Sequence, residues 1–450
     1  MKNARLLAVI SILWMFVLIM GCAKGPVISP PKGAMPEVQV VEKPVKPSQT
    51  TPSKAKTPEA KPLEIKQQVV KPPDVKSAEV KAQPPVVLSP SIPVNRNAVG
   101  CIFPLTGRFA DAGNKALDAA LLSAKLFNQG SSSPWKIVVA DSGETLEEIK
   151  EAVSYLADEA KVIAIVAIAG TAEAAMMAIE AQKRQVPLIL IASREGVTEV
   201  GEYVFQHFLT PTQQIQALTK YAGSTLNVAI FSVLYPEDDY GEEMVRLFRS
   251  EIKKSGGKVD KAIPYSKKQA DFTEQIKKLV GDKFGPEESR GKRSPDFEAL
   301  FIPDSSLRVK MIASQLAFYD VKAVQLVGTS LWHSSDLLKK GAEYLEGAVF
   351  PDSFLVNGIL PETNDFVDVY YSAYSREPGN IDAMAYDTME LTLGVLKNHE
   401  IKTRTEFIKA LLAVQGFRGV TGSISFHGNR VAQKDAFILK VQNGKLEQVK

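Results

Sequence analysis

From Val99 onward the chain alternates short, continuously apolar runs with segments of helical period. Few folds satisfy that alternation. Val99–Phe103, Lys136–Ala140, Val162–Ile168 and Pro187–Ala192 read as strands, and Ala112–Phe127, Leu146–Glu159 and Ala172–Arg184 read as helices between them. In the first of these helices Ala116, Leu117, Ala120, Leu121 and Ala124 share a face. Strands that are apolar throughout, rather than at every second residue, belong in a parallel sheet covered on both sides. Helices between such strands predict right-handed crossovers and a doubly wound α/β layer.

A second series of the same kind starts near Thr210. Its expected helices are Ile215–Gly223, Gly241–Ser255, Phe272–Val280 and Ser306–Phe318. Its expected strands are Asn227–Val233, Lys258–Ile263, Ala299–Ile302 and Val324–Gly328. The charged stretch between Gly281 and Asp296 has no apolar period and reads as an exposed loop. Helices are expected near Asn364–Ser375, Asn380–Asn398 and Thr403–Ala413, and late strands at Ser423–Phe426 and Ala436–Gln442. Two tandem series predict two lobes around a hinged cleft, the first taking residues of about 96–209 and 332–413, the second about 210–331 and 414–450.

Open α/β sheets bind ligands beyond the carboxyl ends of their strands. That rule selects Thr106 after the first strand, Gly170, Thr171 and Ala172 after the third, and Ser193 and Arg194 after the fourth. Gly170 and Thr171 stand just before a helix, whose free N–H groups suit a carboxylate or phosphate. Thr171 serves equally well as a plain N-cap. Arg194 either holds an anion or pairs with Glu195 or Glu199 at the surface.

The first 95 residues have a different character. Lys2 and Arg5 precede the apolar run Leu6–Met20, which reads as a secretory signal. A run of about 20 apolar residues also suffices to span a bilayer. From Gly25 to Pro93 the chain is rich in Pro, Lys, Val and Glu and contains no Phe, Tyr or Trp. Such a segment buries too little apolar surface to offset its ordering entropy. An extended Pro-rich tether of about 70 residues reaches on the order of 200 Å.

Composition sets further limits. Lys and Arg total 54 against 51 Asp and Glu, without the concentrated basic face of a nucleic-acid binder. Of 2 cysteines, Cys101 lies in an apolar run and reads as a small core residue. The 4 histidines, His207, His333, His399 and His427, form no His-Glu-x-x-His pair, and Gly-x-Gly-x-x-Gly, Walker and Gly-x-Ser-x-Gly patterns are lacking. The acidic run Glu237–Glu243 lacks calcium-loop spacing and suits the first turn of a helix. The expectation is a binding protein with no cofactor, metal or catalytic centre.

Two resemblances add to this reading. Leu18-Ile19-Met20-Gly21-Cys22 resembles a bacterial lipobox. It implies that residues 1–21 form a cleaved signal peptide, that Cys22 carries the lipid (palmitate-type acyl chains), and that residues 22–95 form a tether. Multiple acyl chains make a stable membrane anchor. Acylation of Cys22 leaves Cys101 without an intrachain disulfide partner. Ala23, where an Asp would retain a lipoprotein at the inner membrane, implies the outer membrane of a Gram-negative periplasm.

The remainder resembles the type I periplasmic binding proteins, which include leucine-binding proteins. The resemblance rests on Ile102–Gly107, Phe208–Pro211, Tyr240–Glu243, Asp271-Phe272, Tyr344–Gly347, Ala385–Asp387 and Phe417–Phe426 in their order. It implies two Rossmann-like lobes, a ligand carboxylate at the turn Ala169–Ala172, Tyr240 packed over the ligand, and Asp304 near the ligand ammonium. Pro303–Ser306 departs from the family's usual pattern there. Trp332 and His333 are expected at a hinge or cleft wall.

The anchor, the tether, and the Ala299–Asp304 and Gln315–Tyr319 segments resemble penicillin-binding protein activator lipoproteins, which stimulate a peptidoglycan synthase by protein contact. The chain lacks the helical-repeat domain that some activators carry. The alternative is an amino-acid receptor serving the permease of an ABC transporter.

Overall fold

The computed structural model describes residues 93–126, 133–281 and 295–449. The expected signal, Cys22 and nearly all of the tether lie outside these residues, as does most of the charged stretch after Gly281.

The first lobe is built on five parallel strands: β1 (Asn95–Phe103), β2 (Lys136–Asp141), β3 (Val162–Ile168), β4 (Leu188–Ile191) and β5 (Val204–Gln206). Their order is β2-β1-β3-β4-β5, the doubly wound order with a switch point between β1 and β3. Helices α1 (Ala110–Ser123), α2 (Leu146–Ser154) and α3 (Thr171–Lys183) connect them. Along β1, Val99, Cys101 and Phe103 enter one core, while Ala98 and Ile102 enter the core on the opposite face. This two-sided burial explains the unbroken apolar runs, since alternate side chains leave opposite faces of a strand. Burial also pushes the Cys101 thiol up to about 12, in keeping with an inert core residue.

The second lobe repeats the plan. It contains α4 (Pro211–Ser224), β6 (Ile230–Pro236), α5 (Asp239–Lys254), β7 (Lys258–Tyr265), α6 (Thr273–Val280), β8 (Ala299–Phe301), α7 (Ser306–Phe318), β9 (Gln325–Val327) and β10 (Val349–Asp352). Strands β7-β6-β8-β9-β10 reproduce the order of the first sheet. Two antiparallel strands, β14 (Phe437–Gln442) and β15 (Lys445–Gln448), extend its edge beyond β10.

The repeat reaches individual glycines. A Cβ on Gly113 of α1 would lie 1.9 Å from the carbonyl oxygen of Pro104, just after β1, and one on Gly241 of α5 would lie 2.0 Å from that of Pro236, at the end of β6. Each lobe thus seats the helix that follows its first strand against the carbonyl of a proline where that strand ends, and only glycine permits the approach.

Helices α8 (Pro361–Tyr374), α9 (Asn380–Leu396) and α10 (Arg404–Leu412) follow β10. The short strands β11 (Phe417–Gly419), β12 (Gly422–Ser425) and β13 (Gln433–Lys434) then form an antiparallel sheet. Phe354, Phe366, Tyr370, Leu411, Val420, Phe426 and Ala432 all pack into the core containing Val99 and Phe103. The expected lobe limits at 332 and 414 are therefore corrected. β10 belongs to the second sheet, because its backbone pairs with β9 and β14, and 417–434 returns to the first lobe because its apolar side chains fill that core. The chain crosses between lobes three times, after β5, after β10 and after β13.

Arg404 was not distinguished in the sequence from an ordinary surface helix cation. Its side chain is 4% exposed, and its guanidinium donates to the carbonyls of Ala157, Val162, Arg184 and Gln185. Ala157, Arg184 and Gln185 lie where helical segments end, the place where unpaired carbonyls concentrate negative potential. Desolvation lowers the Arg404 pKa to about 10, so the group stays charged at neutral pH.

Candidate functional site

The carboxyl ends of both parallel sheets carry the expected site residues. Thr106 follows β1 and Gly170–Ala172 follow β3, so both groups flank the first lobe's switch point. Tyr240 follows β6 and Asp304 follows β8, the equivalent positions of the second lobe.

Thr106 is held by Asp141 at the end of β2. Its hydroxyl donates to Asp141 Oδ2 at 2.5 Å, and the amides of Leu105 and Gly143 donate to Oδ1 at 2.8 and 3.1 Å. Burial alone would raise the Asp141 pKa, but the Thr106 hydroxyl and the backbone donors outweigh it and lower it. Asp141 was missed in the sequence; its position at the carboxyl end of a strand was the available signal.

At the β3 turn Gly170 is the N-cap of α3 and Thr171 its first residue, so the cap role considered for Thr171 is corrected. Thr171 and Ala172 are exposed. The carboxylate of Glu173 folds back over the turn, with Oε2 2.6 Å from where a Cβ on Gly170 would sit. The helix terminus thus has an acid of its own beside it. Arg194, read as holding an anion or pairing with Glu195 or Glu199, donates from Nη1 to the Thr171 carbonyl at 2.9 Å, tying the β4 loop to the β3 turn. Ser193 is exposed on the same loop. Glu195 reaches the other lobe, accepting from the Thr212 amide at 2.8 Å and its hydroxyl at 3.1 Å at the start of α4.

On the second lobe Tyr240 is half-buried, with its hydroxyl 3.3 Å from Thr329 Oγ1. Burial pushes its phenol up to about 12, so it remains a neutral hydrogen-bonding group. Asp304 Oδ2 accepts from the Tyr265 hydroxyl at 2.7 Å, and Oδ1 accepts from the Ser305 amide at 2.6 Å. Burial and then the Asp304 charge raise the Tyr265 pKa, which keeps that hydroxyl a donor.

Trp332 does not line the cleft. It is fully buried, donates to the Ile302 carbonyl at 3.0 Å, and occupies the space left by Gly328, where a Cβ would meet its ring at 2.0 Å. Its neighbour His333 does stand near a crossing: His333 Nδ1 is 2.5 Å from Asp352 Oδ2 at the end of β10. Asn380 of α9 donates to Oδ1 of the same carboxylate. Among the described residues no group of three or more His, Cys, Asp or Glu is placed to hold a metal ion.

The fold matches known proteins. The sequence fits the family described as periplasmic binding protein over residues 98–445. The branched-chain amino acid transporter substrate-binding protein of Streptococcus pneumoniae, solved in complex with isoleucine, is 25% identical, covering 80% of this chain and 100% of its own, with a TM-score of 0.60. A leucine-binding protein of Thermotoga maritima is 20% identical over 78% of this chain and 97% of its own, with a TM-score of 0.60. An ABC transporter substrate-binding protein of Sphaerobacter thermophilus is 19% identical over 80% and 97%, with a TM-score of 0.66. A comparison with curated proteins finds no match. With its two β2-β1-β3-β4-β5 sheets and three crossings, the chain belongs to the type I periplasmic binding proteins, of the leucine-binding-protein-like kind.

Proposed function

We propose that this protein is a solute receptor whose lobes close on a small amino acid, delivering it to an ABC transporter permease. The observation that carries this reading is the polarity of the two walls. The first lobe offers the exposed Thr171 hydroxyl and the N–H groups that Arg194 does not give to the Thr171 carbonyl, donors suited to a carboxylate, while the Thr106 hydroxyl proton is held by Asp141. The second offers the Asp304 carboxylate, held by Tyr265 and suited to an ammonium. Closure brings opposite ends of a zwitterion to opposite lobes, so the ligand itself supplies the differential free energy for closing. The isoleucine bound to the Streptococcus pneumoniae relative supports the ligand class.

Ligand-dependent thermal stabilisation tests the reading, because saturating ligand that binds only the folded state raises the melting temperature. Leucine, isoleucine and valine are expected to raise it, and Asp304→Asn to abolish the shift without changing the unliganded melting temperature by more than a few degrees. Absence of a shift with every proteinogenic amino acid sinks the proposal.

The peptidoglycan-synthase activator role draws its support chiefly from Cys22, Ala23 and Gly25–Pro93, all but Pro93 outside the described residues. Lipidation at Cys22 and residence at the outer membrane are part of the same proposal's setting. They are tested by mass spectrometry of the mature N-terminus and by membrane fractionation.

A further inference from the structure

Helix α9 touches the first and second crossings through its side chains and reaches the third through Thr421. Asn380 binds Asp352 at the second crossing, and Thr388 Oγ1 lies 2.8 Å from His207 Nδ1 at the first. Asp387 accepts from the Thr421 hydroxyl at 2.5 Å, and that hydroxyl accepts from Lys434 Nζ at the third crossing, also at 2.5 Å. The circuit closes where Lys434 Nζ meets His207 Nε2 at 2.9 Å. His207, Thr388, Asp387 and Thr421 are at most 1% exposed, and Lys434 is 9% exposed.

The partners fix the protons. The Thr388 hydroxyl donates to the Met384 carbonyl at 2.6 Å, so its oxygen is the acceptor for His207. His207 therefore carries its hydrogen on Nδ1 and presents the bare Nε2 to the Lys434 ammonium. A second proton on the imidazole has only Nε2 to occupy, and that atom faces a cation.

We propose that His207 is a proton-operated release in the hinge. Protonation at Nε2 sets an imidazolium against the Lys434 ammonium, breaks the contact that fastens the first crossing to the third, and frees the two lobes to change their angle.

Burial first, and the Lys434 charge second, hold the His207 pKa well below 6.5. The charged groups facing this pair are few. Asp387 on α9 and Asp435 beside Lys434 both favour the ammonium, while burial lowers the Lys434 pKa to about 8. The Asp387 carboxylate is already taken by the amides of Val420 and Thr421 and the Thr421 hydroxyl, at 2.7, 2.8 and 2.5 Å. It stands on the far side of Thr421 from the imidazole, so an imidazolium gains no direct carboxylate partner there.

The proposal rests on the reading that the lobes move about these crossings, but its test needs no ligand, so failure of one is distinguishable from failure of the other. The readout is amide hydrogen exchange in the full chain, corrected for the intrinsic effect of pH, over the segments containing Gln206 and Ala432. Their amides bridge the first and third crossings, Gln206 N to Arg430 O and Ala432 N to Gln206 O, each at 2.8 Å. Lowering pH from about 7.5 to about 5 is expected to speed exchange there by about tenfold or more relative to β1 and β3.

His207→Gln is expected to remove the acid response. Lys434→Met, which removes the contact itself, is expected to exchange fast already at about pH 7.5 and to lose the acid response. An acid response absent from the wild type, retained in His207→Gln, or retained in Lys434→Met overturns the proposal. If His207→Gln does not fold, the wild-type and Lys434→Met profiles still decide it.

Discussion

Glu195 of the first lobe and Thr212 of the second are joined across the lobe boundary, the carboxylate accepting the Thr212 amide at 2.8 Å at the N-terminus of α4. The Thr210–Gln213 capping box satisfies neighbouring groups of the same terminus, so Glu195 completes a cap built from both lobes.

Glu195→Ala is expected to lower stability by about 0.5–1 kcal/mol, the lower part of the range for a lost N-terminal partner. Denaturant unfolding measures it. The same substitution is expected to weaken amino-acid binding by less than Asp304→Asn does, since Glu195 acts on the angle between lobes and not on the ligand.

Glu173 is the resident acid beside the helix terminus that a ligand carboxylate would use. Glu173→Gln is expected to raise amino-acid affinity about two- to five-fold, corresponding to roughly 0.3–1 kcal/mol for one charge near an exposed helix N-terminus. Isothermal titration reads the change; an affinity that falls would show that Glu173 contributes to binding.

Asp141 gives a pH signature. Its pKa is lowered in the folded protein, so its stabilisation is present above the ordinary value of 3.8 and is lost as pH falls below it. Asp141→Asn is expected to be less stable than the wild type near neutrality, with the gap narrowing as pH falls through that window. Urea midpoints from about pH 6 to about pH 3 follow the gap.

Arg404→Met retains much of the side-chain volume but strands several buried carbonyls. A loss of about 3 kcal/mol is expected, since unpaired buried acceptors cost about 1–3 kcal/mol each with partial relaxation. Arg404→Lys is expected to recover less than half of it, because an ammonium cannot reproduce the planar fork. Thermal unfolding distinguishes the three proteins.

The two-lobed α/β architecture was legible because buried parallel strands leave unbroken apolar runs such as Val162–Ile168, and α7 fell on Ser306–Phe318 as read. Strand β5 escaped notice because Val204–Gln206 is three residues long, and β10 because Val349–Asp352 includes a proline and an aspartate. The lobe limits were misplaced for the same reason: sheet membership after β9 is decided by pairing with β14, far along the chain.

At the site, the strand-end rule selected Thr106 and Thr171 and the family resemblance Tyr240 and Asp304, whereas the residues that hold Thr106 and Asp304, Asp141 and Tyr265, stand on other strands of each sheet. Trp332 reads as part of a hinge or cleft wall because it follows a strand. The space at Gly328 that draws it inward leaves no mark in the local sequence. His207 and Lys434 are separated by 227 residues, and no local pattern links them.

β1 is an interior strand, hydrogen-bonded to β2 and β3 along both edges, and it begins at Asn95 on the side of the sheet opposite the carboxyl ends that form the cleft. Any pull exerted through the preceding residues enters the molecule along the axis of this strand. It is borne in shear by two rows of hydrogen bonds instead of peeling an edge. A pull at Asn95 therefore passes mechanical load into the best-supported part of the first lobe.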